Sequence, residues 1–136
     1  YVARHMMERR MGAIVNTSSV AGLRAGLGIV EREPQLRARL WSNVAYLRRR
    51  FAEEGVDIGK STSQVVPVMI RDDARIFSIV EQLLEGGVYL NPVRYPAVGK
   101  HRSRVRISVS AAHTLEELAE AADVIIRVLR QNGLCR

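Results

Sequence analysis

The sequence has little cysteine, few aromatic residues and no long hydrophobic run. Cys135 is the single cysteine, which excludes an internal disulfide framework and a metal site built from several cysteines. The longest apolar stretch, residues 65–70, is much shorter than the roughly 20 residues that a membrane-spanning helix needs. No apolar block follows the N-terminal charges, so we expect no signal peptide. These absences favour a cytoplasmic protein that makes no use of a membrane.

The residues that are present are typical of a globular protein with an excess of positive charge. Hydrophobic residues make up 47% of the 136 residues and charged residues 26%, which excludes a wholly disordered chain. The formal net charge is +7, and residues 93–106 contain five basic residues and no acidic one. Charge concentrated in this way predicts an anionic ligand or partner for that segment.

From residue 34 onward, the hydrophobic pattern predicts the order helix, strand, helix, strand, strand, helix. Strands are predicted over residues 64–70, 88–90 and 104–110. Each helix is predicted to stop at a glycine, namely Gly55, Gly86–Gly87 and Gly133. This order predicts an α+β domain with helices on one face of a small, largely antiparallel sheet. Residues 1–10 and 12–16 are predicted to add a helix–strand appendage, and residues 20–31 are ambiguous.

Two further patterns place side chains on the predicted helices. Asp72–Asp73 is predicted to cap the second helix, and Thr114 with Glu117 forms a capping box for the last one. The first and the last of the predicted helices each carry an apolar stripe that should face the core. In the first helix the stripe comprises Leu36, Leu40, Val44, Leu47 and Phe51, widened by Trp41, and in the last one Leu115, Leu118, Ala122, Ile125, Ile126 and Leu129.

Arg106 is the candidate binding residue. It lies in the middle of the strand over 104–110, where alternation turns Val105 and Ile107 inward and Arg106 to the opposite face. A guanidinium held by a rigid strand is suited to bidentate binding of a carboxylate or a phosphate. The spacing alone also fits a solvated strand face or an internal ion pair.

Other candidates are weaker. His113 fits a hydrogen-bonded residue at the strand–helix junction, and His5 and His101 have no evident partner. No histidine or carboxylate cluster has the spacing of a metal site. The basic run over 100–104 leaves open a non-catalytic module that binds nucleic acid or a nucleotide, although aromatic residues, at 5%, offer little for stacking on bases.

A run of motifs resembles one enzyme family. The segments are Val30-Glu31-Arg32-Glu33-Pro34, Ser63-Gln64-Val65-Val66-Pro67-Val68, Tyr89-Leu90-Asn91-Pro92, Tyr95-Pro96-Ala97-Val98 and Arg104-Val105-Arg106-Ile107-Ser108-Val109-Ser110-Ala111-Ala112-His113-Thr114. Residues 29–136 thereby resemble the C-terminal domain of α-oxoamine synthases, which are fold-type I, class II aminotransferase-like enzymes that use pyridoxal 5'-phosphate. The group includes 8-amino-7-oxononanoate synthase and serine palmitoyltransferase.

The resemblance implies condensation of an acyl-CoA with an amino acid, in enzymes that are homodimers when intact. It assigns Arg106, the second arginine of the Arg-x-Arg strand, to the carboxylate of the amino acid. The cofactor lysine of the family belongs to an upstream domain, and neither Lys60 nor Lys100 has its sequence context. We therefore expect this chain to hold no covalent cofactor, to contain no catalytic residue and to be inactive alone.

The first 26 residues resemble a different family. Met11-Gly12-Ala13-Ile14-Val15-Asn16-Thr17-Ser18-Ser19 is similar to the segment of short-chain dehydrogenases that leads to their catalytic serine, which would be Ser19. The Tyr-x-x-x-Lys partner and the glycine-rich dinucleotide turn are missing, so dehydrogenase activity is unsupported. We expect a short-chain dehydrogenase-like fragment over 1–26 joined to a domain over 29–136. The chain starts with Tyr1, and we expect a piece of a longer reading frame.

Overall fold

The computed structural model describes the backbone of residues 20–136 and the side chains of residues 26–136. Ser19 and the elements predicted over 1–10 and 12–16 lie outside these residues. The described residues fall into two compact units, divided between Glu33 and Pro34. In the first unit, the stretch that was ambiguous in sequence is helix α1 (Val20–Arg32), with Leu27, Ile29 and Val30 exposed.

The second unit contains three helices and one three-stranded sheet. Its elements follow the chain as α2 (Pro34–Glu53), β1 (Val65–Met69), α3 (Ile76–Glu85), β2 (Asn91–Val93), β3 (Arg104–Ser108) and α4 (Leu115–Gln131). The strand order is β1-β3-β2, and β3 pairs antiparallel with both neighbours. This arrangement confirms the predicted α+β class. Pro67 lies on β1, an edge strand, where a residue without an N–H is tolerated.

The core of the second unit lies between the helices and the inner face of the sheet. Val66 and Val68 of β1 and Val105 and Ile107 of β3 are buried there. They pack with side chains from all three helices: Val44, Leu47 and Phe51 of α2, Ile76, Ile79 and Leu83 of α3, and Ala122, Ile125, Ile126 and Leu129 of α4. The alternation along β3 therefore sends every second side chain to the other face.

All three helices of this unit end in the same way. At the end of α3, Val88 N–H donates to Leu83 O and Gly87 N–H to Leu84 O, both at 2.9 Å. This pair of bonds is a Schellman motif, and it requires the left-handed backbone that Gly87 adopts at φ +88°. Equivalent bonds at Gly55 and Gly133 close α2 and α4, so the three predicted glycine stops are confirmed.

The starts of the helices also follow the sequence. Thr114 and Glu117 form a complete capping box at α4, as predicted. The carboxylate of Asp72 accepts from Ala74 N–H and Arg75 N–H, at 3.0 and 3.1 Å. Because α3 itself begins at Ile76, Asp72 caps the turn that leads into the helix rather than its first regular residue.

Two predictions about these elements were wrong. The strand predicted over 88–90 lies instead at Asn91–Val93, because the Val88 N–H is already bound by the Schellman motif of α3. Three residues assigned to the apolar stripes are exposed: Leu36 at 37%, Trp41 at 45% and Leu115 at 56%. Leu36 and Leu115 lie in the first turn of their helices and Trp41 lies one position beside the stripe of α2, and the core of this unit does not cover these three side chains.

Candidate functional site

Arg106 lies at the centre of the outer face of the sheet. It is the middle residue of β3, the central strand, and its side chain is exposed, as the alternation predicted. Pro67 on β1 and Asn91 on β2 are its direct cross-strand partners, and residues opposite one another in an antiparallel pair share a face. Within residues 26–136, Arg106 takes part in no ion pair. Its guanidinium is therefore available to an anion from outside these residues.

The β1 side of this face is apolar. Pro67 is buried, and Met69, which pairs with Arg104, is half-buried. The turn at Gly59 lies over both residues: a Cβ at Gly59 would be 3.6 Å from Met69 Sδ and 3.9 Å from Pro67 Cγ. On this side, then, Arg106 has no polar side chain as its cross-strand neighbour.

An ion pair fixes the turn over β1. Arg71 donates from Nη2 to Asp57 Oδ2 at 2.7 Å and from Nε to the same oxygen at 3.2 Å. The hydrogen bonds from Arg71 lower the pKa of Asp57 below its ordinary value, with a further contribution from Gly59 N–H. The ion pair thus links Asp57, which precedes the turn at Gly59, to Arg71, which follows β1.

The β2 side of the face is polar. Asn91 is exposed beside Arg106, and the Tyr89 hydroxyl donates to Asn91 Oδ1 at 3.3 Å. Sequence reasoning missed Asn91 because it placed this strand over 88–90. The available signal is the helix stop at Gly86–Gly87: its closing hydrogen bond uses the Val88 N–H, so the strand begins only later, at Asn91.

Three basic residues near Arg106 make local contacts. The guanidinium carbon of Arg94 lies 4.7 Å from the centre of the Phe77 ring, and Lys100 Nζ lies 5.8 Å from the centre of the Tyr95 ring. Arg104 Nε donates to the carbonyl of Arg102 at 3.1 Å. These contacts distinguish Arg106 from Arg94, Lys100 and Arg104.

The segment after β3 is anchored by a buried side chain. The Asn43 amide of α2 donates to Ser110 O at 3.0 Å and to His113 O at 2.9 Å. His113 Nδ1 accepts from Ser110 N–H at 3.2 Å, so this histidine occupies the hydrogen-bonded junction predicted for it. A cavity of about 410 Å³ adjoins the junction. Its lining comprises Ala38, Arg39, Ser42, Asn43, His113, Thr114 and Leu115.

The described residues do not fit covalent attachment of pyridoxal phosphate. Lys60 and Lys100 are the two lysines of the sequence, and both are exposed in turns rather than enclosed in a site. No group of histidine, cysteine or acidic side chains in the described part of the chain is arranged to hold a metal ion. None of the described helices is both long and apolar enough to cross a membrane.

Comparison with known proteins identifies the family of the chain that carries this sheet and its central arginine. The family model described as aminotransferase class I and II matches residues 2–125. The chain belongs to this family. The match includes most of the segment over 1–26, and the comparisons do not show a short-chain dehydrogenase-like segment there.

Within the family, the chain is similar to 8-amino-7-oxononanoate synthases and serine palmitoyltransferases. The chain is 37% identical over 125 residues to 8-amino-7-oxononanoate synthase of Symbiobacterium thermophilum, covering 89% of this chain and 32% of that protein. It is 32% identical over 131 residues to serine palmitoyltransferase of Sphingobacterium spiritivorum, covering 96% of this chain and 33% of that protein. The chain therefore spans about a third of the length of these curated relatives.

Solved structures agree with these relatives. A variant of S. paucimobilis serine palmitoyltransferase with a bound PLP–myriocin aldimine matches with a TM-score of 0.74 at 28% identity, covering 80% of this chain and 28% of that chain. A high-resolution structure of serine palmitoyltransferase with PLP as the internal aldimine matches with a TM-score of 0.68 at 31% identity, covering 73% and 25%. The fold is thus that of a part of a fold-type I, PLP-dependent transferase.

Proposed function

We propose that this chain is the C-terminal portion of a cytoplasmic α-oxoamine synthase-like acyltransferase, which condenses an amino acid with an acyl-CoA. In this proposal residues 29–136 form the C-terminal domain, and residues 1–26 are a short-chain dehydrogenase-like fragment. Arg106 binds the carboxylate of the amino acid. The observation that carries the proposal is the exposed guanidinium of Arg106, central on the sheet and without an ion-pair partner among the described residues.

The chemistry of the family gives this arginine a clear task. A bidentate guanidinium–carboxylate pair fixes the orientation of the amino acid, and so the direction of the bond at Cα that must break. Pyridoxal phosphate supplies the electron sink in intact relatives. Since Lys60 and Lys100 do not fit its attachment, we propose that protein outside this chain holds the cofactor and that the chain is inactive alone.

The exposed apolar residues support the view that this chain is one part of a larger enzyme. Leu36, Trp41 and Leu115 are large, and they are exposed although they continue the buried stripes of α2 and α4. Side chains of this kind are expected where another part of a protein packs. We propose that the assembled enzyme is a homodimer, as the family resemblance implies.

The proposal is tested in an enzyme reconstituted by joining residues 29–136 to the cofactor-binding two-thirds of the S. spiritivorum relative. Arg106→Gln should raise the KM for L-serine by about 10- to 100-fold, because it removes a charge-assisted hydrogen-bonding pair. The KM for the acyl-CoA should change less than about twofold. Arg127→Gln, which removes the same charge from an exposed position on α4, is the matched control. An unchanged KM for L-serine in the Arg106 variant would exclude the assignment.

A further inference from the structure

We propose that Asn91 is a second substrate-binding residue, whose side-chain amide donates a hydrogen bond to the same carboxylate that Arg106 binds. Tyr89 acts as a positioning residue, because it fixes the orientation of that amide. The inference rests on the proposed function of Arg106 and adds a second donor to the site.

The register of the sheet places Asn91 beside Arg106. Asn91 is the direct partner of Arg106 across the β2–β3 ladder, so the two Cβ atoms lie about 4.5–5.5 Å apart on one face. On the opposite flank, Pro67 offers no donor and is buried beneath the turn at Gly59. Of the two cross-strand neighbours of Arg106, only Asn91 therefore has a side chain that can form a hydrogen bond with a carboxylate bound by Arg106.

The contact with Tyr89 decides which end of the Asn91 amide is available. The Tyr89 hydroxyl donates to Oδ1 at 3.3 Å, which engages the oxygen that would repel an anion. The Nδ2 group keeps two N–H donors, and no described residue accepts from it. With the oxygen held by Tyr89, the amide presents donors to a ligand at Arg106.

The two donors are compatible with one carboxylate. A carboxylate has about four lone-pair positions, and a bidentate guanidinium uses two of them. One of the remaining positions can accept from Asn91 Nδ2, which gives a hydrogen bond strengthened by the charge of the acceptor. Arg106 provides most of the attraction in this arrangement, and Asn91 sets the side on which the ligand lies.

The test is an NMR titration of the isotopically labelled 136-residue chain with N-acetylglycine, a carboxylate without an ammonium group, at constant ionic strength. We expect the Arg106 Nε–H and Asn91 Nδ2–H₂ signals to shift with one common Kd. Asn91→Ala should weaken binding by about three- to tenfold, because solvent at an exposed site reduces the contribution of a hydrogen bond to a charged group. Asn91→Asp should weaken it more, because its carboxylate repels the ligand. Gln131→Ala, which removes a carboxamide from the exposed end of α4, should have no effect.

Tyr89 needs a measurement that a purely structural role would not change. Tyr89→Phe should weaken binding by about two- to threefold in the wild-type background and have no effect in the Asn91→Ala background, because it acts through Asn91. Equal effects in both backgrounds would overturn this role. The backbone spectra and the melting temperature of each variant, compared with the wild type, establish that the exposed substitutions leave the fold intact.

The outcomes separate this inference from the one it rests on. If Arg106→Gln abolishes binding and Asn91→Ala leaves the Kd unchanged, the role of Asn91 is wrong and that of Arg106 stands. If Arg106→Gln leaves the Kd unchanged, the proposed function fails and the role of Asn91 fails with it. Wild-type chain that shows no shift of either side chain at saturating N-acetylglycine would overturn both.

Discussion

At the scale of single residues, one buried amide connects the helix layer to the end of the central strand. Asn43 is 3% exposed, and both of its bonds to the segment after β3 are 3.0 Å or shorter. Removing the donor from a part-buried hydrogen bond costs free energy, because the acceptor is incompletely hydrated without it. Asn43 therefore contributes to the position of the strand that carries Arg106, although it lies far from it in sequence.

We predict that Asn43→Ala lowers the free energy of unfolding by about 1–3 kcal/mol, because it leaves the carbonyls of Ser110 and His113 without this donor. Chemical denaturation measured by circular dichroism provides the test. Ser42→Ala, at the exposed neighbouring position, is the control and should stay within about 0.5 kcal/mol of the wild type. If the two variants are equally stable, the amide has no such role.

The residue scale also shows what the sequence can and cannot reveal. The outward direction of Arg106 follows from alternation with Val105 and Ile107, which is a local pattern. The bonds of Asn43 join residues about 70 positions apart, and no local pattern contains that information. Asn91 shows a third case: its pairing with Arg106 depends on a strand that begins later than its apolar neighbours suggest.

At the scale of elements, the ends of helices were the most predictable features. Glycine is favoured in the left-handed conformation of a Schellman motif, so Gly55, Gly87 and Gly133 mark helix ends in the sequence itself. The short strand β2 was not predictable in the same way. Propensity favours a strand over Val88–Leu90. The Val88 N–H, however, donates to Leu83 O and is therefore not available to pair with a neighbouring strand.

The capping box of α4 predicts a specific acid sensitivity. Thr114 N–H donates to Glu117 Oε2 at 2.8 Å, and this bond is the main reason that the pKa of Glu117 lies below its ordinary value, with the Thr114 side chain next. A carboxyl whose pKa is lowered by folding stabilises the protein above its unfolded pKa. That stabilisation is lost as the pH falls through the folded pKa.

We therefore expect the stability difference between the wild type and Glu117→Gln to be largest near neutral pH and to shrink on acidification below the ordinary glutamate range. Urea unfolding at a series of pH values from roughly 7 down to 2 measures it. Glu120→Gln, on an exposed glutamate further along α4, is the matched control. A difference that is constant across the series would show that the carboxylate does not stabilise the cap.

At the scale of the whole molecule, the hydrophobic core of the described residues lies within one continuous stretch of sequence. Every buried hydrophobic residue of the described part lies between Val44 and Leu129, inside the second compact unit. The predicted fold class was correct because the helices and strands of this unit follow one another in the predicted order, without a long insertion between them. Leu36, Trp41 and Leu115 were misplaced because periodicity shows which face of a helix is apolar, but not how far along the helix its cover extends.

The same observation predicts the effect of a truncation. Removal of residues 1–26 should change the melting temperature by less than about 3 °C, since the buried hydrophobic residues of the described part all lie between Val44 and Leu129. Differential scanning calorimetry of the full chain and of the truncated chain tests this. A truncated chain that fails to melt cooperatively would mean that the domain boundary has been placed wrongly.

The free edge of β1 has a consequence for how this chain meets others. Three backbone nitrogens point outward there: Met69 N–H donates to Asp57 O at 2.8 Å, Val65 N–H donates to Ser63 Oγ at 3.2 Å, and Pro67 carries no hydrogen. The Val65 carbonyl in turn accepts from Ser61 Oγ at 2.8 Å. An incoming strand would find no vacant donor along this border, which disfavours sheet extension and fibrillar growth at β1.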